Sequence, residues 1–179
     1  MCRPEWRAAG AGFGSTPLIT VRKAEEIYRP EGRIENGTFS GSWHFSFSEY
    51  YDRRYVRLVA LRVFNDDTLS PGAVWPVHLH REIEVATYCA AGEFRHADEH
   101  GQGTVLQKGW ARHTTVGKGM FHSDKENHGG YLYVVEGGGV FAGDEFLRYL
   151  DAAMIVREPE LRLKAREDTE LLFVVAGLK

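Results

Sequence analysis

The chain has 179 residues, 43% of them hydrophobic and 26% charged, with a formal net charge of -3. That apolar share supports a real core and excludes disorder throughout, while the slight acidic excess gives no support to a nucleic-acid or anionic-membrane partner, which would favour a basic stripe. No apolar run approaches the ~20 residues that cross a bilayer. Residues 1–16 lack the apolar middle of a secretory signal and read as a loose tail. The two cysteines, Cys2 in that tail and Cys89 in an apolar run, give no disulfide framework and point to a reducing, cytoplasmic setting. Cys89 itself reads as a small buried hydrophobe.

Twenty glycines punctuate short β-rich runs, the pattern of an antiparallel sandwich or barrel. Strands are expected at 18–23, 43–47, 56–64, 73–80, 83–90, 93–97 and 103–107. Further strands are expected at 111–116, 131–135, 140–142, 153–157, 161–165 and 171–175. Only 24–28 and 144–150 have helical character, and both are short. The stretch D98-E-H-G-Q-G103 reads as a turn, because Asp and two glycines supply the backbone freedom a hairpin loop requires. N127-H-G-G130 reads as a seam between a histidine-bearing part and a C-terminal part with no cluster of ligand-type residues. E136-G-G-G139 follows a strand but precedes another strand, so the helix a dinucleotide site needs is missing. No Ser–His–Asp order and no phosphate loop stand out. The chain reads as all-β.

The chemistry concentrates in G-A-V-W-P-V-H78-L-H80-R-E-I-E84-V-A-T-Y. Imidazoles at i and i+2 of a strand share a face, roughly 6.6–6.8 Å apart, and Glu84 points the same way if the strand continues. Further on, His122 and Asp124 repeat the i, i+2 pattern after glycines 117 and 119, which can bend the segment toward another strand. Three imidazoles and one carboxylate suit a divalent ion such as iron, manganese, cobalt, nickel, copper or zinc. A lone H-x-H is weak, since most such pairs are ordinary strand-face histidines; the parity of Glu84 and the distant G-x-x-H add the weight. Of the other histidines, His96 and His100 flank the expected turn and face solvent. His128 sits in the seam, His113 has neighbours that leave its direction open, and His44 reads as packed or hydrogen-bonded. The aromatic run 43–51 fits a half-buried strand and hence the core, with a pocket lining as the rival reading.

These residues resemble a known superfamily. G72-x5-H78-x-H80-x3-E84-x7-G92 is similar to the first cupin motif with one extra residue before its last glycine. Gly109 through G119-x-x-H122 is similar to a degenerate second motif, with Gly117 where proline is usual. Within the cupins, four ordered blocks over 41–127 resemble the pirin family: G41-S-W-H-F-S-F-S-E-Y-Y-D52, L61-R-V-F-N-D-D67, H78-L-H80 and G117-K-G-M-F-H-S-D124. The resemblance implies a cupin fold, a double-stranded β-helix or jelly-roll-like barrel. It implies metal ligands at His78, His80 and His122, with Asp124 where the family usually has glutamate. Aspartate is one methylene shorter, and Glu84, the acid ligand of cupins more generally, is held in reserve. One divalent transition metal is implied, iron ahead of manganese, nickel, cobalt, copper or zinc.

The family includes proteins similar to quercetin 2,3-dioxygenase. The implied activity is oxidation of a flavonol or related enol with O2, with Asp124 or Glu84 taking the substrate proton and Trp43, Phe45, Phe47 and Trp75 as an aromatic platform. The alternative is a non-catalytic metal-binding regulatory or scaffold protein. Pirin-like chains are longer than this one, and 131–179 resembles the closing part of a second cupin. The expected organisation is a tail (1–16), a metal-binding cupin (17–127) and a remnant second cupin (128–179) packed on or merged with the first barrel. Any uncovered sheet edge invites another chain, so either a homodimer or a compact merged barrel is expected. Otherwise the expected partner is a small planar aromatic substrate, with no direct nucleic-acid or membrane contact.

Overall fold

Apolar runs of two kinds, alternating and continuous, become strands of two kinds in the computed structural model, which describes residues 18–76, 83–97, 103–116, 128–158 and 160–177. The strands are β1 (Leu18–Arg22), β2 (Glu31–Ile34), β3 (Gly37–Trp43), β4 (Asn65–Leu69), β5 (Ile83–Tyr88), β6 (Glu93–Ala97) and β7 (Gly103–Gln107). They continue with β8 (Ala111–Val116), β9 (His128–Gly137), β10 (Val140–Ala142), β11 (Glu145–Leu147), β12 (Ala152–Val156), β13 (Leu163–Ala165) and β14 (Thr169–Gly177). One 3-10 turn, Ala24–Glu26, is the helical element among the described residues, and none there is long and apolar enough to cross a membrane.

The central sheet has the order β1-β12-β9-β14 and is antiparallel throughout. Both of its faces are covered. Tyr131 and Tyr133 of β9 with Ala152 and Val156 of β12 pack against Ile27, Phe45, Leu58 and Val59 on one face. Leu132, Val134, Ala153 and Ile155 pack against Val140, Ala142 and Leu147 on the other. Burial on two faces explains why β9 and β12 read as continuous apolar runs rather than alternating ones. The pairing of β1 with β12, Leu18 opposite Val156, joins the first described strand to the C-terminal strands. Around this sheet lie β11-β10-β13, β2-β3-β4, and the two-stranded ribbons β5-β8 and β6-β7.

The structure corrects several expectations. Residues 56–64 form no strand: Leu58 and Leu61 exchange two backbone hydrogen bonds of 2.9 and 2.8 Å around a tight turn, with Val59 at φ +54°. Burial of the adjacent Leu58 and Val59 in one core outweighs the β-branched pattern. The expected helix at 144–150 is instead the hairpin strand β11, because Gly143 at φ +57° reverses the chain and sets Ala142 opposite Glu145. The strand expected at 43–47 ends at Trp43, and β2, most of β3, and β4 were hidden by their Gly, Ser and Asp content. Of 73–80, Val74 makes an isolated bridge to Glu35, and 77–80 lie outside the described residues. The seam at 127–130 is no break from His128 onward, since Gly129 and Gly130 are buried within β9. Side chains occupy the space their Cβ atoms would need, Val59 at 2.9 Å from that of Gly129 and Phe173 at 2.7 Å from that of Gly130.

Candidate metal centre

His78, His80, His122 and Asp124 lie outside the described residues; Glu84 lies within β5. What the described residues do establish is where the two segments that carry these sequence-predicted donors join the ribbon. β5 and β8 pair antiparallel, and their terminal pair is Ile83 opposite Val116. The first segment therefore ends, and the second begins, at one end of a single ribbon. His80 is three residues from Ile83, so its Cα is within about 11 Å of it, and His122 is six residues from Val116, within about 22 Å. Those reaches let the two segments meet, and three imidazoles and one acid, where they do, would suit a divalent transition metal. Among the described residues alone, no group of three or more His, Cys, Asp or Glu side chains is placed to hold one.

Glu84 stands opposite Thr115, and His113 opposite Ala86, which makes Glu84 and His113 diagonal neighbours on one face of the ribbon. The Nε2 of His113 is 3.5 Å from Oε2 of Glu84. At that length the contact is too long for a firm hydrogen bond. The cross-strand register thus settles the direction of His113, which its own neighbours in sequence left open. On the same face Tyr88 donates its phenol proton to the carboxylate of Glu170 in β14, a short contact that ties the ribbon to the central sheet. That hydrogen bond holds the Tyr88 phenol above its ordinary pKa.

The aromatic platform is smaller than expected. Trp43 and Phe45 are 3% and 0% exposed and belong to the interior. Trp43 donates Nε1–H to Asp67 at 3.1 Å, and burial raises the Asp67 carboxyl. Phe47 is exposed, and Trp75 is half-buried, edge-on to Phe39 at 4.9 Å. His44 is packed and hydrogen-bonded, as its sequence context indicated: it is fully buried with Nδ1 2.9 Å from the Tyr131 hydroxyl. Burial, reinforced by the charges of Arg22 and Arg29, lowers its pKa to about 3. Arg22, also buried, donates to the carbonyl of His44, to that of Glu26 at 2.9 Å and to the Tyr50 hydroxyl at 3.1 Å, with its guanidinium 3.7 Å above the Tyr55 ring. Tyr133 donates to Asp66 at 2.7 Å, and burial pushes its phenol up. Sequence reasoning missed this interior polar cluster, whose members are scattered over 22–133. Cys89 is buried, 4% exposed, as expected. His96 lies in β6, and His100 lies outside the described residues.

Comparison with known proteins places these features in a wider set. The Pirin family model matches residues 27–135. A quercetin 2,3-dioxygenase of Escherichia coli strain K12 is 31% identical over 167 residues, covering 86% of this chain and 70% of the relative. A pirin-like protein of Caulobacter vibrioides is 33% identical over 93 residues, 52% of this chain and 40% of that one. Among solved structures, YhhW from Escherichia coli superposes with a TM-score of 0.73 at 19% identity, over 90% of this chain and 98% of that chain. The same bacterial pirin in complex with nickel(II) gives 0.71 at 18% identity, over 90% and 100%. The strand architecture here is that of these pirin cupins.

Proposed function

This chain belongs to the pirin family, and we propose that it is a metal-binding cupin that oxidises a small planar aromatic enol with O2 in the manner of quercetin 2,3-dioxygenase. The observation that carries this reading is the opposition of Ile83 and Val116, which tethers the H78-L-H80 and H122-S-D124 segments to one end of the β5–β8 ribbon. Relatives named quercetin 2,3-dioxygenase and the nickel(II) complex of the neighbouring fold support it. His78, His80 and His122 are the nitrogen ligands and Asp124 the acid beside them. The ion is a divalent transition metal, iron first, with nickel a direct rival.

A metal held there supplies Lewis acidity that lowers the pKa of a bound enol hydroxyl. Glu84 or Asp124 is the acid that would accept the proton, provided it lies within about 2.6–3.2 Å of it. Trp75 and Phe47 are the surviving aromatic candidates for packing against flat rings. We assign 17–127 to the metal-binding cupin and 128–179 to a remnant second cupin merged with it. The β1–β12 pairing and the core that Phe45 and Leu58 share with Tyr131 and Val156 support that assignment. The cysteine usage supports a cytoplasmic setting.

The deciding experiment is elemental analysis of purified protein, followed by oxygen uptake with quercetin. Bound metal and quercetin-dependent uptake are expected. Protein that stays metal-free after reconstitution with iron, manganese and nickel overturns the reading. Metal without uptake overturns the enzyme and leaves the regulatory alternative.

A further inference from the structure

We propose that this chain pairs with a second copy of itself through a reciprocal charge contact, in which the arginine-bearing turn of one copy seats against the acidic groove of the other. Arg53, Arg54, Arg57 and Arg62 are all exposed. Arg54 is held by Asp52 at 2.7 Å, while Arg53, Arg57 and Arg62 have no carboxylate partner among the described residues. Arg57 and Arg62 immediately flank the antiparallel Leu58–Leu61 bridge, which sets them across the turn from one another. Like charges directly opposite are destabilising, and the turn also holds Val59 at φ +54°, where β-branched residues rarely sit. Among the described residues no carboxylate pairs with Arg57 or Arg62 to offset that repulsion, and an anionic surface on a partner would.

The complementary surface is on the same molecule. A groove of about 320 Å³ is lined by Asp144, Glu145, Glu158 and Glu160 over an apolar floor that includes Ile19. Its one lining cation, Arg162, is already paired with Glu160 at 3.2 Å. The turn and the groove flank one end of the central sheet. Leu58 and Val59 lie against Gly129, Gly129 pairs with Val156, and Glu158 follows Val156 by two residues. Ile19 pairs with Ile155 one step inward. Leu58 and Val59 belong to the core on one face, and Ile19 packs on the core of the other.

Two opposite patches straddling one sheet end suit a two-fold axis passing that end. The turn of each copy then meets the groove of its partner, and the pair closes on itself instead of growing into a filament. With a net charge of -3 and four carboxylates in the groove, the molecule as a whole offers a polyanion no net attraction. This favours a partner whose charge is as divided as the chain's own.

The test is sedimentation equilibrium of the full chain at low salt and at roughly 0.5 M salt, where screening shortens electrostatic reach to a few ångströms. The expected result is a dimer at low salt that weakens at least about tenfold at high salt. Arg57→Glu/Arg62→Glu and Glu145→Lys/Glu158→Lys, each checked for native circular dichroism, should both be monomeric. Their equimolar mixture should recover the dimer, because one contact is then restored with its signs exchanged and the other is the native pairing of arginine turn and acidic groove. A wild-type monomer at low salt, dimers that survive in either variant, or a mixture that stays monomeric overturns the proposal. A monomer whose arginine turn alone governs retention on heparin overturns it in favour of a polyanionic partner. None of these outcomes bears on metal binding.

Discussion

The Nδ1 of His44 lies 2.9 Å from the hydroxyl of Tyr131, joining two residues 87 positions apart in the middle of the core. Burial keeps the imidazole neutral down to about pH 3 and pushes the phenol above its ordinary value, so neither group ionises near neutrality. The pair is a neutral clasp between the loop after β3 and the central sheet. Its Nε2 is left without a partner among the described residues.

That clasp makes the fold acid-sensitive in a defined window. The unfolded chain binds a proton on His44 below about pH 6.5, and the native state only near pH 3. The unfolded state therefore gains as pH falls between those values, by about 1.4 kcal/mol per pH unit well inside the window, and about 2 kcal/mol of native stability is gone by pH 5. Urea unfolding at pH 7 and pH 5 should show this loss in the wild type and a smaller one in His44→Gln. Equal losses in the two proteins would exclude His44 as the source.

Asp151 is a second internal anchor, 3% exposed and accepting from Lys23 Nζ at 3.1 Å, from the Ala24 amide at 2.9 Å and from the Arg148 amide at 2.9 Å. Asp151→Ala leaves those donors without their acceptor and should cost about 1–3 kcal/mol. Lys23→Ala, which removes a side chain 41% exposed, should cost well under half of that. Thermal melts of the two variants give the comparison directly.

Gly129→Ala tests how tightly the turn at Leu58–Leu61 is packed onto β9. The added methyl would sit 2.9 Å from Val59 Cγ2 and 3.1 Å from Leu58 Cγ. Overpacking of this kind costs about 1–3 kcal/mol. A variant as stable as wild type in denaturant titration would mean that the turn shifts freely.

At the candidate metal centre, His80→Ala should abolish metal retention while the circular dichroism stays native. Loss of folding instead would make the histidine structural. Asp124→Asn should lower metal affinity about 10–100-fold by the scale of altered metal surroundings. Glu84→Gln should keep the metal and lose turnover, and the reverse pattern would exchange the roles of the two acids. Metal content by elemental analysis separates these outcomes.

The short hairpin strands were legible because period-2 alternation and flanking glycines are local. β6, β7, β8 and β10 occupy the residues expected of them. β4, N65-D-D-T-L69, was not legible, because its polar residues form a strand only through pairing with β3. The hairpin strand β11 was mistaken for a helix because the reversal at Gly143 depends on where Phe141 finds its partner, Phe146. At the site, Glu84 was visible as a candidate from its parity with the histidines. His113 was not, because a diagonal cross-strand neighbour is invisible until the register is known.

By itself, the sequence determined the all-β character and nominated the candidate donor residues, since alternation and side-chain chemistry are properties of a few neighbouring residues. Only the tertiary structure decided that Ile83 faces Val116, that β1 lies beside β12, and that Arg22 and His44 share the core. Those relationships join residues far apart in the chain. They are set by which apolar faces can be covered together and by which buried polar groups find partners, and no local pattern carries that information.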